Sequence, residues 1–361
     1  MRRAALLAHG PLSRMGGTER FTNYLRAFLG QQGFAVEVHE PRALSGRAGR
    51  LLQPLHQCFA VGRGLARRLD DYSLIVTVGY TAGHLRGPNV TNVAFGSMAS
   101  YFRAIRRAPG FRRRLAVTAA IMIVCDRRSK RGKLCIATSA QVRDELKRDY
   151  GVPSVVVPCG IDTAHFARRP GGREFRSRHG IAPSALVGVF AGRWDGAHKG
   201  LDVLARVMRE RSDVHWLVAG TAGVGLPGVA RLTVLGEVGY ADLPALYSAA
   251  DFGVQLSRYE SVGFTFLESL ACGLPVISTP VGVAPEVYDD PVLGDLLVPL
   301  DPVTQPAEVD DRIDRLSDTA WREEVGLRCR ARVEKAFSLE DWRERIGEVF
   351  RAVTERRSCA S

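Results

Sequence analysis

Short apolar runs recur along the chain and alternate with stretches whose apolar residues return at helical spacing. Runs of about four to eight mostly apolar residues are typical of strands buried in a parallel sheet. The runs that predict strands are residues 3–9, 34–39, 73–78, 89–95, 134–139, 154–157, 185–190, 215–220, 232–235, 251–255 and 276–277. The helical patterns are residues 21–29, 141–150, 201–209, 243–250, 264–271, 319–337 and 342–354. Strands and helices in this alternation predict an α/β protein with parallel sheets.

Length and composition place the chain among ordinary globular proteins. It has 361 residues, of which 46% are hydrophobic and 24% charged, enough for two domains. The seven cysteines form no C-x-x-C pair, so we expect reduced thiols and a cytoplasmic location. The basic N-terminus has too few apolar residues after it for a signal peptide. The longest apolar run, 115–125, is shorter than the roughly 20 residues that cross a bilayer.

Positive charge is concentrated in the first half of the chain. Residues 1–180 carry 31 Lys and Arg against 11 Asp and Glu, a net +20, whereas residues 181–361 carry 19 against 27, a net −8. The densest basic stretch combines arginines with aromatic residues, namely Phe102, Arg103, Arg106, Arg107, Phe111 and Arg112 to Arg114. This mixture suits anionic lipid head groups, on the inner face of the cell membrane, or a phosphorylated acceptor. A solvated basic surface is an equal alternative, and no nucleic-acid motif accompanies the charge.

The most informative stretch is residues 257–286, which predicts a loop, a short helix and a buried strand. Glu260 precedes the helix, and Glu268 lies about two turns inside it, so their backbones are up to roughly 12 Å apart. Between them lies a helix N-terminus, where unpaired N–H groups attract phosphate, and Gly263 allows a close approach to the backbone. A carboxylate, an anion site and a second carboxylate fit an elongated nucleotide-sugar.

Two loops that follow predicted strands add possible phosphate contacts. After the strand at 185–190, Gly192, Arg193 and Lys199 place two cations beside glycine at a carboxyl end, where open α/β sheets bind ligands. After the first strand, Gly16 and Gly17 stand at the beginning of a helix. The first of these loops therefore predicts contacts with a diphosphate, whereas the second is by itself an ordinary turn from a strand to a helix.

These motifs together resemble those of the retaining GT-B glycosyltransferases of family 4. The match rests on the Glu-x7-Glu spacing from Glu260 to Glu268 and on the resemblance of 192–200 to G-R-x-x-x-x-K-G, although this chain has five residues between G-R and K-G where the pattern has four. The resemblance covers nearly the whole chain, most strongly residues 185–301. It implies two Rossmann-like domains facing a central cleft. Residues 1–166 would form the acceptor-side domain, 182–340 the nucleotide-sugar domain, and 341–361 a helix that crosses back to the first domain.

The resemblance also implies roles for individual residues. Glu260 would lie at the donor sugar and Glu268 at the ribose hydroxyls, and Glu260, Arg193 and Lys199 would be the catalytic residues. The implied donor-binding residues are Gly16, Gly17, Gly192, Arg193, Lys199, Val238, Glu260, Ser261, Gly263, Phe264, Thr265 and Glu268. It further implies a strand and turn over 294–301.

The implied reaction moves a sugar from a nucleotide-diphosphate sugar to an acceptor hydroxyl with retention at the anomeric carbon. The acceptor would be a glycan or lipid-linked molecule in bacterial glycan or glycolipid biosynthesis. Arg193, Lys199 and the helix end would stabilise the charge of the leaving diphosphate. We therefore expect no metal ion and no other cofactor.

One departure from the family keeps alternatives open. Many members carry a histidine at the end of the fourth strand, where this chain has Phe95-Gly96-Ser97. A catalytically inactive nucleotide-sugar-binding subunit and a nucleotide-sugar epimerase of the same architecture are the alternatives. A nicotinamide oxidoreductase is disfavoured, because the formal G-x-G-x-x-G at Gly223, Gly225 and Gly228 contains Pro227 and leaves no room for a helix.

Overall fold

The computed structural model divides the chain into two compact units. It describes residues 2–13, 16–106, 116–193, 197–220, 226–300 and 305–358. Unit 1 comprises the described residues of Met1–Arg103, Arg112–Cys159 and Trp342–Ser361, and unit 2 comprises those of Ala104–Phe111 and Gly160–Asp341. Each unit is built around its own parallel sheet, as the alternating pattern of the sequence predicts.

The sheet of unit 1 has six strands in the order β2-β1-β3-β4-β5-β6, and every neighbouring pair is parallel. The strands are β1 Arg2–Leu7, β2 Phe34–His39, β3 Leu74–Val78, β4 Val90–Ala94, β5 Leu134–Ala137 and β6 Ser154–Val156. All five residues of β3 and of β4 are buried, because these strands lie inside the sheet. A strand buried on both faces has no face turned to solvent, which explains the mostly apolar composition of β3. The buried polar side chains Thr77, Thr91 and Asn92 are hydrogen-bonded within the sheet.

Five helices accompany this sheet: α1 Gly17–Gln31, α2 Gly46–Phe59, α3 Met98–Ile105, α4 Ala116–Lys130 and α5 Ala140–Tyr150. Local signals set the ends of α5: the Ser139 hydroxyl accepts from the N–H of Val142, and Gly151 ends the helix at φ +65°. The apolar run at 115–125 falls mostly in α4.

The sheet of unit 2 has five parallel strands in the order β11-β10-β7-β8-β9. They are β7 Val187–Ala191, β8 His215–Ala219, β9 Leu232–Gly236, β10 Phe252–Gln255 and β11 Val276–Ser278. The helices are α6 Gly172–Arg178, α7 Leu201–Glu210, α8 Leu243–Ala249, α9 Phe264–Ala271, α10 Ala284–Val287, α11 Pro291–Gly294, α12 Gln305–Ser317 and α13 Thr319–Ala336. Short 3-10 turns at Ala197–Lys199 and Tyr240–Asp242 precede α7 and α8.

Two segments differ from the pattern that the sequence predicts. Residues 167–181, expected to link the two domains, contain α6 and pack within unit 2, where the Arg176 guanidinium donates to the Asp251 carboxylate at 2.9 Å. The strand expected within 294–301 reduces to one bridge between Leu297 and Ser278, since α11 occupies the residues just before it. Asp301, Gly223 and Gly225 lie outside the described residues.

The last helix, α14 Leu339–Ser358, brings the chain back to unit 1. The Trp342 ring is buried and meets Phe21 and Phe28 of α1 edge-on, with ring centroids 5.5 and 5.8 Å apart. These contacts make the C-terminal helix part of the unit 1 core. Across the described residues, we found no helix with both the length and the apolar content that a bilayer span requires.

Candidate functional site

A buried ion pair lies where two neighbouring strands of unit 2 end. The Lys199 ammonium donates to the Glu260 carboxylate, with Nζ and Oε1 2.6 Å apart, and the two side chains are 15% and 12% exposed. The Ser257 hydroxyl donates to the same oxygen at 2.8 Å. Strands β7 and β10 are neighbours, so the loops that follow them meet at one edge of the sheet. The structure therefore brings together two of the three predicted catalytic residues.

Backbone hydrogen bonds hold the two loops against each other. The carbonyl of His198 accepts from the N–H of Arg258 at 2.6 Å. The Arg258 guanidinium in turn donates to both oxygens of Asp202, in the first turn of α7, at 2.6 and 2.7 Å. A paired, two-bond contact of this kind fixes orientation as well as distance. The position of the Lys199 ammonium is thus set by its own loop and by the neighbouring one.

The position directly after Lys199 requires a glycine, Gly200. Its φ is +63°, and an added Cβ would collide with the carbonyl oxygen of Leu256. Only glycine combines this backbone conformation with so close an approach. The contact joins the beginning of α7 to the residue that follows β10.

The electrostatics of the pair keep Glu260 ionised. Burial opposes ionisation, but the charge and hydrogen bond of Lys199 outweigh it, so the pKa of Glu260 lies below its ordinary value. The carboxylate is therefore charged at neutral pH. A positive group of a ligand placed beside it would be stabilised.

The N-terminus of α9 lies directly after this pair. Gly263 precedes the helix at φ +89°, and no side chain caps the end. The loop is supported from behind, because the N–H of Val283 donates to the carbonyl of Val262 at 3.1 Å. Ser261, Phe264 and Thr265 are half-buried around this end. The arrangement offers positive helix-dipole charge next to the Lys199 ammonium.

The Glu268 side chain is buried in unit 2, more deeply than its place in the Glu-x7-Glu motif suggests. It belongs to the buried face of α9, with the residue 1% exposed, and the Tyr247 hydroxyl donates to Oε2 at 3.4 Å. Burial, together with the Glu268 charge, raises the pKa of the Cys272 thiol to about 12. The predicted ribose contact of Glu268 stays a prediction.

The remaining predicted residues of unit 2 lie at strand ends. Gly192 and Arg193 follow β7, and the Arg193 side chain is exposed. Val238 is half-buried two residues after β9. Residues 194–196, between Arg193 and Lys199, lie outside the described part of the chain.

Gly16 and Gly17 belong to unit 1, at the beginning of α1. Gly16 has an extended backbone and no side-chain cap, and the Glu19 carboxylate lies against it. Phe95, at the position where a histidine is common, meets Phe21 of α1 edge-on at 5.1 Å. Phe95 in place of the histidine thus puts an apolar ring against α1, the helix that follows Gly16.

Three polar residues that contact or adjoin the site were not predicted from the sequence. Ser257 binds Glu260, the Thr279 hydroxyl donates to the carbonyl of Ser257 at 2.6 Å, and Gln255 is buried at the end of β10. For Gln255 a signal was present in the sequence, since a polar residue ends an otherwise apolar strand. Ser257 and Thr279 carry no such signal.

Comparison with known families identifies both halves of the chain. Residues 15–165 match the model described as Glycosyltransferase Family 4, and residues 185–318 match Glycosyl transferases group 1. The resemblance inferred from the motifs is confirmed by these matches.

Curated relatives match part of the chain. A D-inositol 3-phosphate glycosyltransferase of Geodermatophilus obscurus is 31% identical over 252 residues, which are 63% of this chain and 54% of that protein. Another from Segniliparus rotundus is 36% identical over 172 residues, 43% of this chain and 38% of that protein. The chain thus matches about half or less of the length of these relatives.

Solved structures share the fold over nearly the full length. Sucrose-phosphate synthase from Thermosynechococcus elongatus superposes with a TM-score of 0.79 at 20% identity, covering 100% of both chains. Anabaena Alr3699/HepE in complex with UDP-glucose gives 0.72 at 17% identity, covering 98% of this chain and 100% of that one. Together with the two parallel sheets, these similarities confirm the predicted α/β, GT-B architecture.

Proposed function

Because the chain belongs to the group 1, family 4 glycosyltransferases, we propose that it moves a sugar from a nucleotide-diphosphate sugar to an acceptor hydroxyl with retention at the anomeric carbon. The observation that carries this proposal is the Lys199–Glu260 pair beside the N-terminus of α9. Two of the similar structures support the donor class, since they are complexes of Anabaena Alr3699/HepE with UDP-glucose and with UDP and glucose. The acceptor is a glycan or lipid-linked molecule of bacterial glycan or glycolipid biosynthesis.

The chemistry follows from where charge develops during transfer. As the glycosidic bond breaks, the diphosphate gains negative charge, which Lys199, Arg193 and the N–H groups of α9 stabilise. Glu260 uses one of the three ammonium donors of Lys199 and leaves the others for a phosphate oxygen. The Glu260 carboxylate positions the sugar and stabilises the positive charge on its ring. This set of cations requires no metal ion.

The test is a thermal-shift panel of UDP-, GDP-, ADP-, dTDP- and CMP-sugars with NAD and NADP, each with EDTA and with Mg²⁺. One nucleotide-sugar class should raise the melting temperature equally with and without the metal. If Glu268 binds the ribose hydroxyls, the 2′-deoxy analogue of that nucleotide should raise the melting temperature less, because it lacks one of these hydroxyls. A shift that requires Mg²⁺ would contradict the metal-independent site, and stabilisation by NAD alone would contradict the donor class.

Product analysis separates this proposal from its alternatives. Phe95 in place of histidine is the observation that favours an inactive nucleotide-sugar-binding subunit. Such a subunit would show the thermal shift without consuming the donor when candidate acceptors are added. An epimerase would instead isomerise the donor without any acceptor.

We further propose that unit 1 docks on an anionic membrane surface. Helices α2 and α4 pack together, and both expose apolar side chains: Leu51 and Leu52 on α2 are 39% and 48% exposed, and Val117 and Val124 on α4 are 63% and 62% exposed. Exposed arginines Arg127 and Arg128 follow on α4, within the half of the chain that carries net +20. Apolar and cationic groups together are what an anionic interface binds.

Vesicle flotation tests the docking surface. Binding to phosphatidylglycerol vesicles should fall as salt is raised, and Val124→Asp should weaken it. Val234→Asp is the matched control, because Val234 is 54% exposed but lies in unit 2. Equal binding to neutral vesicles, or an equal effect of the two substitutions, would contradict the proposal.

A further inference from the structure

Gln255 is a buried amide that the mechanism above does not use. It ends strand β10 and is 6% exposed. Neither Oε1 nor Nε2 has a hydrogen-bond partner among the described residues. Its backbone is paired, since the carbonyl accepts from the N–H of Thr279 at 3.2 Å. The side chain alone is therefore left with unmet hydrogen-bonding capacity.

The amide faces the region of the proposed donor site. A Cβ built on Gly263, the residue that precedes α9, would lie 3.3 Å from Nε2 and 3.5 Å from Oε1. Gln255 also lines a cavity of about 20 Å³ together with Lys199, Thr265 and Ser269. The amide thus lies beside Gly263 and shares one cavity with Lys199 and the first turn of α9.

Packing does not explain an amide at this position. The adjoining strand residues Val254 and Phe190 are apolar, and a methionine would fill the same volume without leaving polar atoms unpaired. At about 20 Å³ the cavity is large enough for about one water molecule. A buried polar side chain of this kind indicates a partner that arrives with a ligand.

We propose that Gln255 is a further donor-binding residue, whose Nε2–H donates to an oxygen of the donor diphosphate. This inference rests on the proposed function, because it assumes that a diphosphate occupies the site. Lys199 and the end of α9 supply positive charge, and the carboxamide adds a directed donor without further charge. The residue acts on donor affinity and not on the acceptor.

Two substitutions separate binding from folding. Gln255→Met keeps the volume and removes both polar atoms, and it should weaken binding of the nucleoside diphosphate about tenfold, the scale of one hydrogen bond to a charged group. Gln255→Glu should weaken it further, because the new carboxylate repels phosphate. The ligand-free methionine variant should melt no lower than the wild type, since it buries no unpaired amide.

Calorimetry with UDP, GDP and ADP, and melting curves of the same samples, provide the measurements. Gln57→Met is the control for affinity: Gln57 is also 6% exposed but lies on α2 of unit 1, and the affinity should not change. Its melting temperature should fall, because its Nε2 donates to the carbonyl of His9 at 2.6 Å and that hydrogen bond is lost. Unchanged affinity in both Gln255 variants would overturn this inference and leave the proposed function intact. A loss of affinity that accompanies a large drop in melting temperature would reveal a structural role and also overturn it. Failure of the wild type to bind any nucleoside diphosphate would overturn the proposed function and this inference together.

Discussion

Lys199→Ala is expected to lower sugar transfer by about a thousandfold while the protein stays folded. The loss follows from removing a preorganised cation from the position where the leaving diphosphate gains charge, an effect on the order of 10²–10³ for one such group. It also leaves the Glu260 carboxylate buried without its cation. We therefore expect a destabilisation of roughly 1–3 kcal/mol in addition to the loss of turnover. Initial rates with the donor identified by the thermal-shift panel, with circular dichroism and melting curves, measure both effects.

A double variant shows whether the lone carboxylate causes the destabilisation. Replacing both partners, as Lys199→Met with Glu260→Gln, removes the uncompensated charge and should recover stability. Transfer stays low in this variant, because Glu260 is itself a proposed catalytic residue. Lys147→Ala removes an exposed lysine of α5 in unit 1 and should leave both unchanged. Normal turnover in the folded Lys199→Ala protein would remove the ammonium from the proposed mechanism.

Gly200→Ala should destabilise unit 2 by about 2–4 kcal/mol and lower transfer as well. An alanine at φ +63° is strained, and its Cβ would overlap the carbonyl oxygen of Leu256, so one of the two loops has to move. Such a shift displaces Lys199 from Glu260, because Gly200 is the next residue in the chain. Urea denaturation midpoints measure the first effect and initial rates the second.

Gly180 offers the matched control for this substitution. Its φ is +65°, nearly that of Gly200, but nothing lies within 4 Å of an added Cβ. Gly180→Ala should therefore cost only the backbone strain, about 1 kcal/mol, and leave transfer unchanged. If the two alanine variants were equally destabilised, the overlap with the Leu256 carbonyl would contribute nothing to the destabilisation of Gly200→Ala, contrary to this prediction.

Local signals in the sequence were sufficient for most of the sheet architecture. The runs at 34–39 and 201–209 became β2 and α7 with bounds that differ by at most one residue. Apolar runs, helix caps and glycines that end helices depend only on residues close together in the sequence, so they can be recognised before the fold is known. The charged, glycine-bearing stretch 167–181 is polar enough to suggest a linker. It packs within unit 2 instead, because its Arg176 side chain donates to the carboxylate of Asp251, which is distant in sequence.

The site could be predicted only as far as its residues belong to a spaced motif. Glu260 and Lys199 are 61 residues apart, and the strand order brings them to 2.6 Å, as their places at two carboxyl ends suggest. Gln255 and Ser257 belong to no motif with a characteristic spacing, so only the structure shows which residues surround them. The burial of Glu268 likewise depends on Tyr247, whose position follows from the packing of α8 and α9.

The return of α14 to unit 1 has a consequence for biosynthesis. Most of unit 1 is translated before unit 2, yet the aromatic contact of Phe21 and Phe28 requires Trp342. Unit 2 is complete once Asp341 has emerged from the ribosome. Unit 1 therefore finishes folding after unit 2, and until then it exposes the apolar surface of α1 that Trp342 later covers. A stalled or truncated product ending before Trp342 would carry that exposed surface permanently and would be a natural target for chaperones and proteases.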